Sequence, residues 1–370
     1  MSEPFEIFLA TQPGLEALLA AEARAAGFAQ VAETPGGVTC LGDWSDVWRA
    51  NLVLRGAGRV LARFASFRVM HLAQLDKRAR KVAWGDVLRA DVPVAVEVTT
   101  RKSRIYHAGA AQERIGRAIA ETLGAPVTDH AALRLLVRID DDMATFSLDT
   151  SGEPLHKRGT KQAVGKAPLR ETMAALFLRA CDFDEAEAVL DPMCGSGTFV
   201  LEAAEMATGL APGRARRFAF EDLASFDPVA WASMRDGLAA PRAVQPRFYG
   251  SDRDAGAVAG AQGNAERAGV ADLCRFERRA ISDLVRPEGP PGLVIVNPPY
   301  GSRIGNRKLL FGLYGALGAV LKDRFRGWRV GLVTSDAGLA RATGLRFLPG
   351  GPSVAHGGLS VTLWLTGPLG

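Results

Sequence analysis

From about Pro168 to the C-terminus, short apolar runs alternate with stretches of helical periodicity. The spacing predicts strands at 188–190, 247–249, 273–276, 292–296, 328–333, 345–348 and 359–365, with helices at 169–181, 198–208, 253–268, 309–324 and 336–342. Parallel strands need a long crossover, and a helix supplies it. This rhythm therefore implies an α/β fold, Rossmann-like, with a mostly parallel seven-stranded sheet and helices on both faces. Ligands of such sheets sit beyond the carboxyl ends of the strands.

The preceding residues follow another pattern. Strands are expected at 5–9, 38–41, 60–69 and 94–98, and helices at 15–26, 72–84 and 110–123. Asp140-Asp141-Asp142 lies between apolar runs at 133–139 and 144–148, which signals a hairpin. This is an α+β module. The segment from Ser151 to Gly165 is rich in Gly, Lys and Arg. The expected division is 1–155 for the N-terminal module, 156–167 for a junction and 168–370 for the second domain.

A chain of 370 residues accommodates two ordinary domains, and 48% hydrophobic with 23% charged residues is a globular composition. No apolar run reaches the roughly 20 residues of a membrane helix, and the N-terminus lacks a signal-peptide pattern. A cytoplasmic protein with no membrane partner is expected. The four cysteines are far apart and histidine is scarce, which argues against a metal site. The net charge of +5 leans toward a polyanionic partner. Basic clusters offer candidate nucleic-acid contacts at Lys77, Arg80, Lys81, Lys102, Arg104, Lys157 and Arg158.

Asp191-Pro192-Met193-Cys194-Gly195-Ser196-Gly197 follows an expected strand and opens a helix. Glycines there let a ligand approach the backbone, and the helix N-terminus offers free N–H groups. A dinucleotide fingerprint would need a third glycine where Val200 stands. The next strand ends in Asp252, which suits acceptance of ribose hydroxyls; Asp254 is the alternative acid, better placed as a helix cap. This arrangement resembles the S-adenosylmethionine pocket of class I methyltransferases. Asp283 is a further candidate, facing an adenine amino group or serving as a cap. Cys194 reads as a small residue where bulk would clash.

Asn297-Pro298-Pro299-Tyr300 closes the apolar run Leu293-Val294-Ile295-Val296. Proline fixes φ and removes a donor, so nearby carbonyls point in set directions. The Asn297 side-chain oxygen and the Pro298 carbonyl can accept both hydrogens of an exocyclic amine, and Tyr300 can stack on the base. Asn297, Pro298, Pro299 and Tyr300 are the candidate catalytic residues for methyl transfer to a base nitrogen.

Several segments together resemble the THUMP-containing class I RNA methyltransferases, most closely the bacterial 23S ribosomal RNA guanine-N2 methyltransferases. They include Thr11-Gln12-Pro13-Gly14-Leu15-Glu16, Lys102-Ser103-Arg104-Ile105-Tyr106-His107, Leu148-Asp149-Thr150-Ser151-Gly152, Leu155-His156-Lys157-Arg158-Gly159 and Ala167-Pro168-Leu169-Arg170-Glu171-Thr172. The glycine loop, Gly250-Ser251-Asp252-Arg253-Asp254 and 297–301 complete the set. The resemblance implies a ferredoxin-like lead-in, a THUMP module gripping RNA, and S-adenosyl-L-methionine as cofactor. It implies that Pro168 and Leu169 close over that cofactor and that 23S rRNA is the substrate; the sequence leaves the oligomeric state open, with a monomer expected. Thr160 stands where family members usually carry an aromatic residue, and one catalytic domain implies one modification. Transfer RNA guanine-N2 methylation, adenine-N6 methylation and a non-catalytic RNA-binding assembly factor are the alternatives.

Overall fold

The computed structural model describes residues 4–162, 169–300, 307–356 and 358–370. Its Cα packing resolves two compact units, the first formed by Met1–Thr11, Ala20–Leu155 and Arg216–Leu238, the second by Gln12–Leu19, His156–Ala215 and Ala239–Gly370.

In the first unit, β1 (Phe5–Ala10), β2 (Ala29–Thr34), β3 (Gly37–Gly42), β4 (Arg59–Arg68), β5 (Val94–Arg101), β6 (Leu133–Asp140) and β7 (Met143–Asp149) form one sheet in the order β2-β3-β1-β4-β7-β6-β5. All pairings are antiparallel except β5 with β6. Strand β4 pairs with β1 along one edge and β7 along the other, with a register shift between Arg63 and Ala65. The Asp141 and Asp142 turn joins β6 to β7 with φ of 50° and 61°. Two left-handed residues match the right-handed strand twist, and Asp tolerates that region.

Helix α1 (Glu16–Ala25) is divided between the two units after Leu19, and helices α2 (Trp44–Val53), α3 (Leu72–Ala79) and α4 (Ala108–Leu123) accompany the sheet. The expected helix at 72–84 stops at Ala79, and Trp84–Asp86 forms a separate 3-10 turn. Residues 216–238, which the sequence assigned to the second domain, belong to the first unit. The reason is aromatic: Phe218, Phe220, Phe226 and Trp231 form one cluster, and Trp48 of α2 meets Phe220 and Phe226 with centroids 6.1 and 5.8 Å away.

The second unit carries α5 (Glu171–Ala180), β8 (Val189–Asp191), α6 (Thr198–Thr208), β9 (Phe248–Asp252), α7 (Ala255–Ala268), β10 (Cys274–Arg278), β11 (Leu293–Val296), α8 (Arg307–Arg324), β12 (Arg329–Thr334), α9 (Ala337–Ala342), β13 (Ser353–His356) and β14 (Leu359–Leu365). The strand order is β10-β9-β8-β11-β12-β14-β13, parallel from β10 to β12 and antiparallel at β14 and β13. The strand expected at 345–348 is corrected. Only Phe347 bridges Thr366, because Pro349-Gly350-Gly351-Pro352 breaks the run, and Ser353–His356 pairs with β14 instead.

Central β11 is buried at all four positions, as a parallel strand covered on both faces must be. On one face Val294 and Val296 join Leu310, Tyr314, Leu317 and Leu321 of α8 in the core. On the other, Ile295 and Gly331 lie beside Cys181, at the end of α5.

Candidate active site

The carboxyl ends of β9, β8 and β11 lie side by side. Asp191 pairs with Gly250 across β8 and β9, and Leu190 with Val294 across β8 and β11. Asp252, the glycine loop and Asn297 therefore emerge from three adjacent strands at one edge, where the strand order reverses.

The glycine loop is folded by its own amides. Asp191 Oδ1 accepts from Met193 N–H at 3.0 Å, Cys194 N–H donates to the Ser251 carbonyl at 2.9 Å, and Gly197 N–H donates to the Cys194 carbonyl at 2.8 Å. Pro192 is buried within the turn. Gly195 and Gly197 are left-handed, with φ of 52° and 85°. A β-carbon on Gly197 would sit 3.2 Å from Ala261 and 3.3 Å from the Phe276 ring, whereas one on Gly195 would meet nothing within 4 Å. Gly197 is thus required by packing. Gly195 turns its backbone toward open space that a ligand can fill.

Gly195 N–H donates to Asp252 Oδ2 at 3.1 Å, and Asp254 N–H donates to Asp252 Oδ1 at 3.0 Å. Each oxygen keeps acceptor capacity for a hydroxyl. Asp254 caps α7 instead, accepting from Gly256 and Ala257 N–H. Asp283 is exposed beyond β10, bonded by the Ser282 hydroxyl at 3.2 Å. Leu169 is buried just ahead of α5, and Pro168 lies outside the described residues.

Burial pushes the Asp191 carboxyl up to about 8, with the negative charge of Asp252 adding to the effect. The Cys194 thiol is likewise raised by burial, and its sulfur lies 3.1 Å from where a β-carbon of residue 250 would stand. It fills space beneath the loop and is not poised as a thiolate.

The loop is braced from behind by residues the sequence reading missed. Asn264 Nδ2 donates to the Ser196 carbonyl at 3.1 Å. Lys161 Nζ donates to Thr198 Oγ1 at 2.8 Å and pairs with Glu171 at 2.8 Å. Arg158 pairs with Glu202 at 3.0 Å, with side chains only 4% and 3% exposed. Arg158 is therefore corrected from an RNA contact to a buried structural cation. The readable signal was helix α6 itself: two glutamates in an otherwise apolar, wholly buried helix demand cationic partners.

At the end of β11, Asn297 is half-buried, yet its Oδ1 is shielded from solvent and accepts no hydrogen bond from the described residues. Buried acceptors are rarely left so, and an unpaired one at a strand end fits a ligand donor. Pro298 is buried; Pro299 and Tyr300 are half-buried. Tyr314 O–H donates to the Pro299 carbonyl at 3.4 Å. The Tyr300 ring packs against the α8 core, and that burial raises its phenol.

Among the basic candidates of the first unit, Lys77, Lys81, Lys102 and Arg104 are exposed. Arg104 lies 3.9 Å from Asp142, and Lys102 has a left-handed φ of 46°. Arg80 is corrected in part: its charge is met by Asp76 at 3.1 Å and Glu121 at 2.6 Å. Lys157, in the second unit, is exposed. No group of three His, Cys, Asp or Glu side chains arranged to hold a metal occurs among the described residues, and no described helix is long and apolar enough to cross a membrane.

Three family models match the chain: an RMKL-like methyltransferase domain over residues 158–348, an RlmL ferredoxin-like domain over 6–61 and a THUMP domain over 71–149. Two relatives named ribosomal RNA large subunit methyltransferase K/L are similar in sequence. The one from Chromohalobacter salexigens is 34% identical over 93% of this chain and 50% of its own length. The one from Allochromatium vinosum is 37% identical over 92% and 49%. The chain spans about half the length of these curated relatives. Among solved structures, SMU.472, crystallised with SAH, superposes with a TM-score of 0.88 at 26% identity, covering 100% of this chain and 99% of that one. A Listeria monocytogenes protein described as a predicted N6-adenine-specific DNA methylase matches with a TM-score of 0.88 at 29% identity, over 99% and 97%.

Proposed function

We infer the activity from a premise the matches establish, that this chain belongs to the RMKL-like methyltransferase family, and we propose that it methylates the exocyclic N2 of a guanine in the RNA of the large ribosomal subunit. S-adenosyl-L-methionine, when bound, supplies an electrophilic methyl group on a sulfonium. The residues present fit it: Gly195 offers an open backbone face beside the Asp252 carboxylate, and both adjoin the acceptor-bearing end of β11.

The observation that carries this reading is the unsatisfied Asn297 Oδ1. With the Pro298 carbonyl it forms a pair of acceptors for the two hydrogens of an amine. Those bonds turn the nitrogen lone pair away from the ring and toward the donor crevice. They strengthen as the nitrogen becomes positive, so they stabilise the transition state more than the ground state. The amine needs no prior deprotonation, and a proton departs to solvent after the new N–C bond has formed. Tyr300 supports the base from the side, and the exposed Lys77, Lys81, Lys102 and Arg104 contribute charge for the RNA backbone.

The name of the Listeria monocytogenes neighbour favours a second reading, adenine-N6 transfer, which the same acceptors also allow. Incubating the protein with labelled S-adenosylmethionine and unmodified ribosomal RNA, followed by nucleoside mass spectrometry, separates the two. N2-methylguanosine supports the proposal. N6-methyladenosine refutes it, as does a parallel incubation with unmodified transfer RNA that takes up the label when the ribosomal RNA does not.

A further inference from the structure

Between the α-carbons of Asn297 and Tyr300 the bend after β11 is stiff at every backbone torsion but one. The φ angles of Pro298 and Pro299 are locked near about −65° by their rings. Residues that precede proline are held extended, which restrains ψ at Asn297 and at Pro298. Only ψ of Pro299 is left to turn, and it carries Tyr300 with it. The orientation of the Pro299 carbonyl is set by that same angle, and this is the carbonyl that the Tyr314 hydroxyl reaches.

Tyr314 projects from α8 and is fully buried, so it is anchored in the core and not in the bend. Thr334, at the carboxyl end of β12, lies close enough to the Tyr314 phenol to offset part of the rise that burial causes. Thr334 Oγ1 in turn accepts from Asp336 N–H at 3.3 Å. A carbonyl can only accept, so Tyr314 gives its proton to Pro299.

We propose that Tyr314 is a positioning residue for methyl transfer: its hydroxyl sets the one loose torsion between Asn297 and Tyr300 and so places the Tyr300 α-carbon, whose ring packs against the α8 core, in register with the acceptors on Asn297 and Pro298. This rests on the reading of the bend as the amine grip. Tyr314 never touches the base; it acts through the backbone.

The test is Tyr314→Phe, which keeps the ring and removes one oxygen, compared with Thr334→Val, which also deletes a buried hydroxyl from the chain but leaves Tyr314 donating to Pro299. Single-turnover rate, SAH affinity and amide exchange at Tyr300 are measured below the unfolding range of both variants. Tyr314→Phe should lower the rate roughly tenfold with SAH affinity within twofold, as expected for losing one hydrogen bond that holds reacting groups in place. Thr334→Val should lose clearly less. A wild-type rate in Tyr314→Phe, or equal losses in the two variants, overturns the proposal. Amide exchange is read independently of chemistry: faster exchange at Tyr300 in Tyr314→Phe alone supports the clamp even if the guanine assignment fails, and unchanged exchange overturns it.

Discussion

Asn297→Ala should remove the chemistry and leave the fold at least as stable. In the resting protein Oδ1 accepts nothing from the described residues, so truncation breaks no known protein hydrogen bond at that atom. It deletes a desolvated acceptor whose unmet cost is about 1–3 kcal/mol. The side chain is only half-buried, so the packing lost is about 1 kcal/mol. The two terms leave stability unchanged or raised by up to about 2 kcal/mol. In the transition state the same oxygen faces an amine acquiring positive charge, and losing one preorganised group of this kind costs about 2.7–4 kcal/mol, or about 100- to 1000-fold in rate. The assay is single-turnover methyl transfer to RNA transcribed in vitro, with urea unfolding and calorimetric titration of SAH on the same preparation. A rate within about tenfold of the native protein, or a stability loss above about 1 kcal/mol, refutes the reasoning.

Asp252→Ala should weaken SAH binding at least tenfold by calorimetry, while Asp254→Ala should leave affinity alone and cost about 1 kcal/mol of stability as a lost cap. Arg158→Met should destabilise by about 3–5 kcal/mol in urea, because it removes the buried cation paired with Glu202, and should leave the salt dependence of RNA binding untouched. Asp191 has a folded pKa of about 8, raised from 3.8, so the unfolded chain ionises first. The stability this group contributes is full below about pH 4 and is lost as pH rises through about 8. Asp191→Asn should accordingly gain on the native protein across that window and plateau above it; parallel denaturation profiles would contradict the assignment.

The catalytic half was legible because parallel strands buried on both faces announce themselves as apolar runs, and the helix at 198–208 was read with its observed bounds. The glycine loop and the Asn297 bend were placed at strand ends because each follows directly on an apolar run in the sequence. Elements held by long-range packing were not. Strand Ser353–His356 hides behind glycine and proline and exists only as the partner of β14. Edge strand Ala29–Thr34 is mostly exposed and shows no clean alternation. Helix α2 passed unread although Asp43 and Asp46 form a capping box at its start. Arg158 was read as an RNA contact and Lys161 was not singled out, because nothing local reveals that α6 and α5 carry their carboxylates, Glu202 and Glu171. Tyr314 was not singled out, since only the folded sheet brings it to the bend.

The first unit also carries a consequence for how such a protein can be cut. The ferredoxin-like match ends at residue 61 and the THUMP match begins at 71, while β4 spans Arg59–Arg68 and is hydrogen-bonded along both margins. A fragment ending before β4 would bare β1, one starting after it would bare β7, and open strand margins recruit other chains. What the sequence matches count as two modules is a single woven plate. Transplanting either one means taking the shared thread, and a load placed on the THUMP side is borne by the ferredoxin-like side as well.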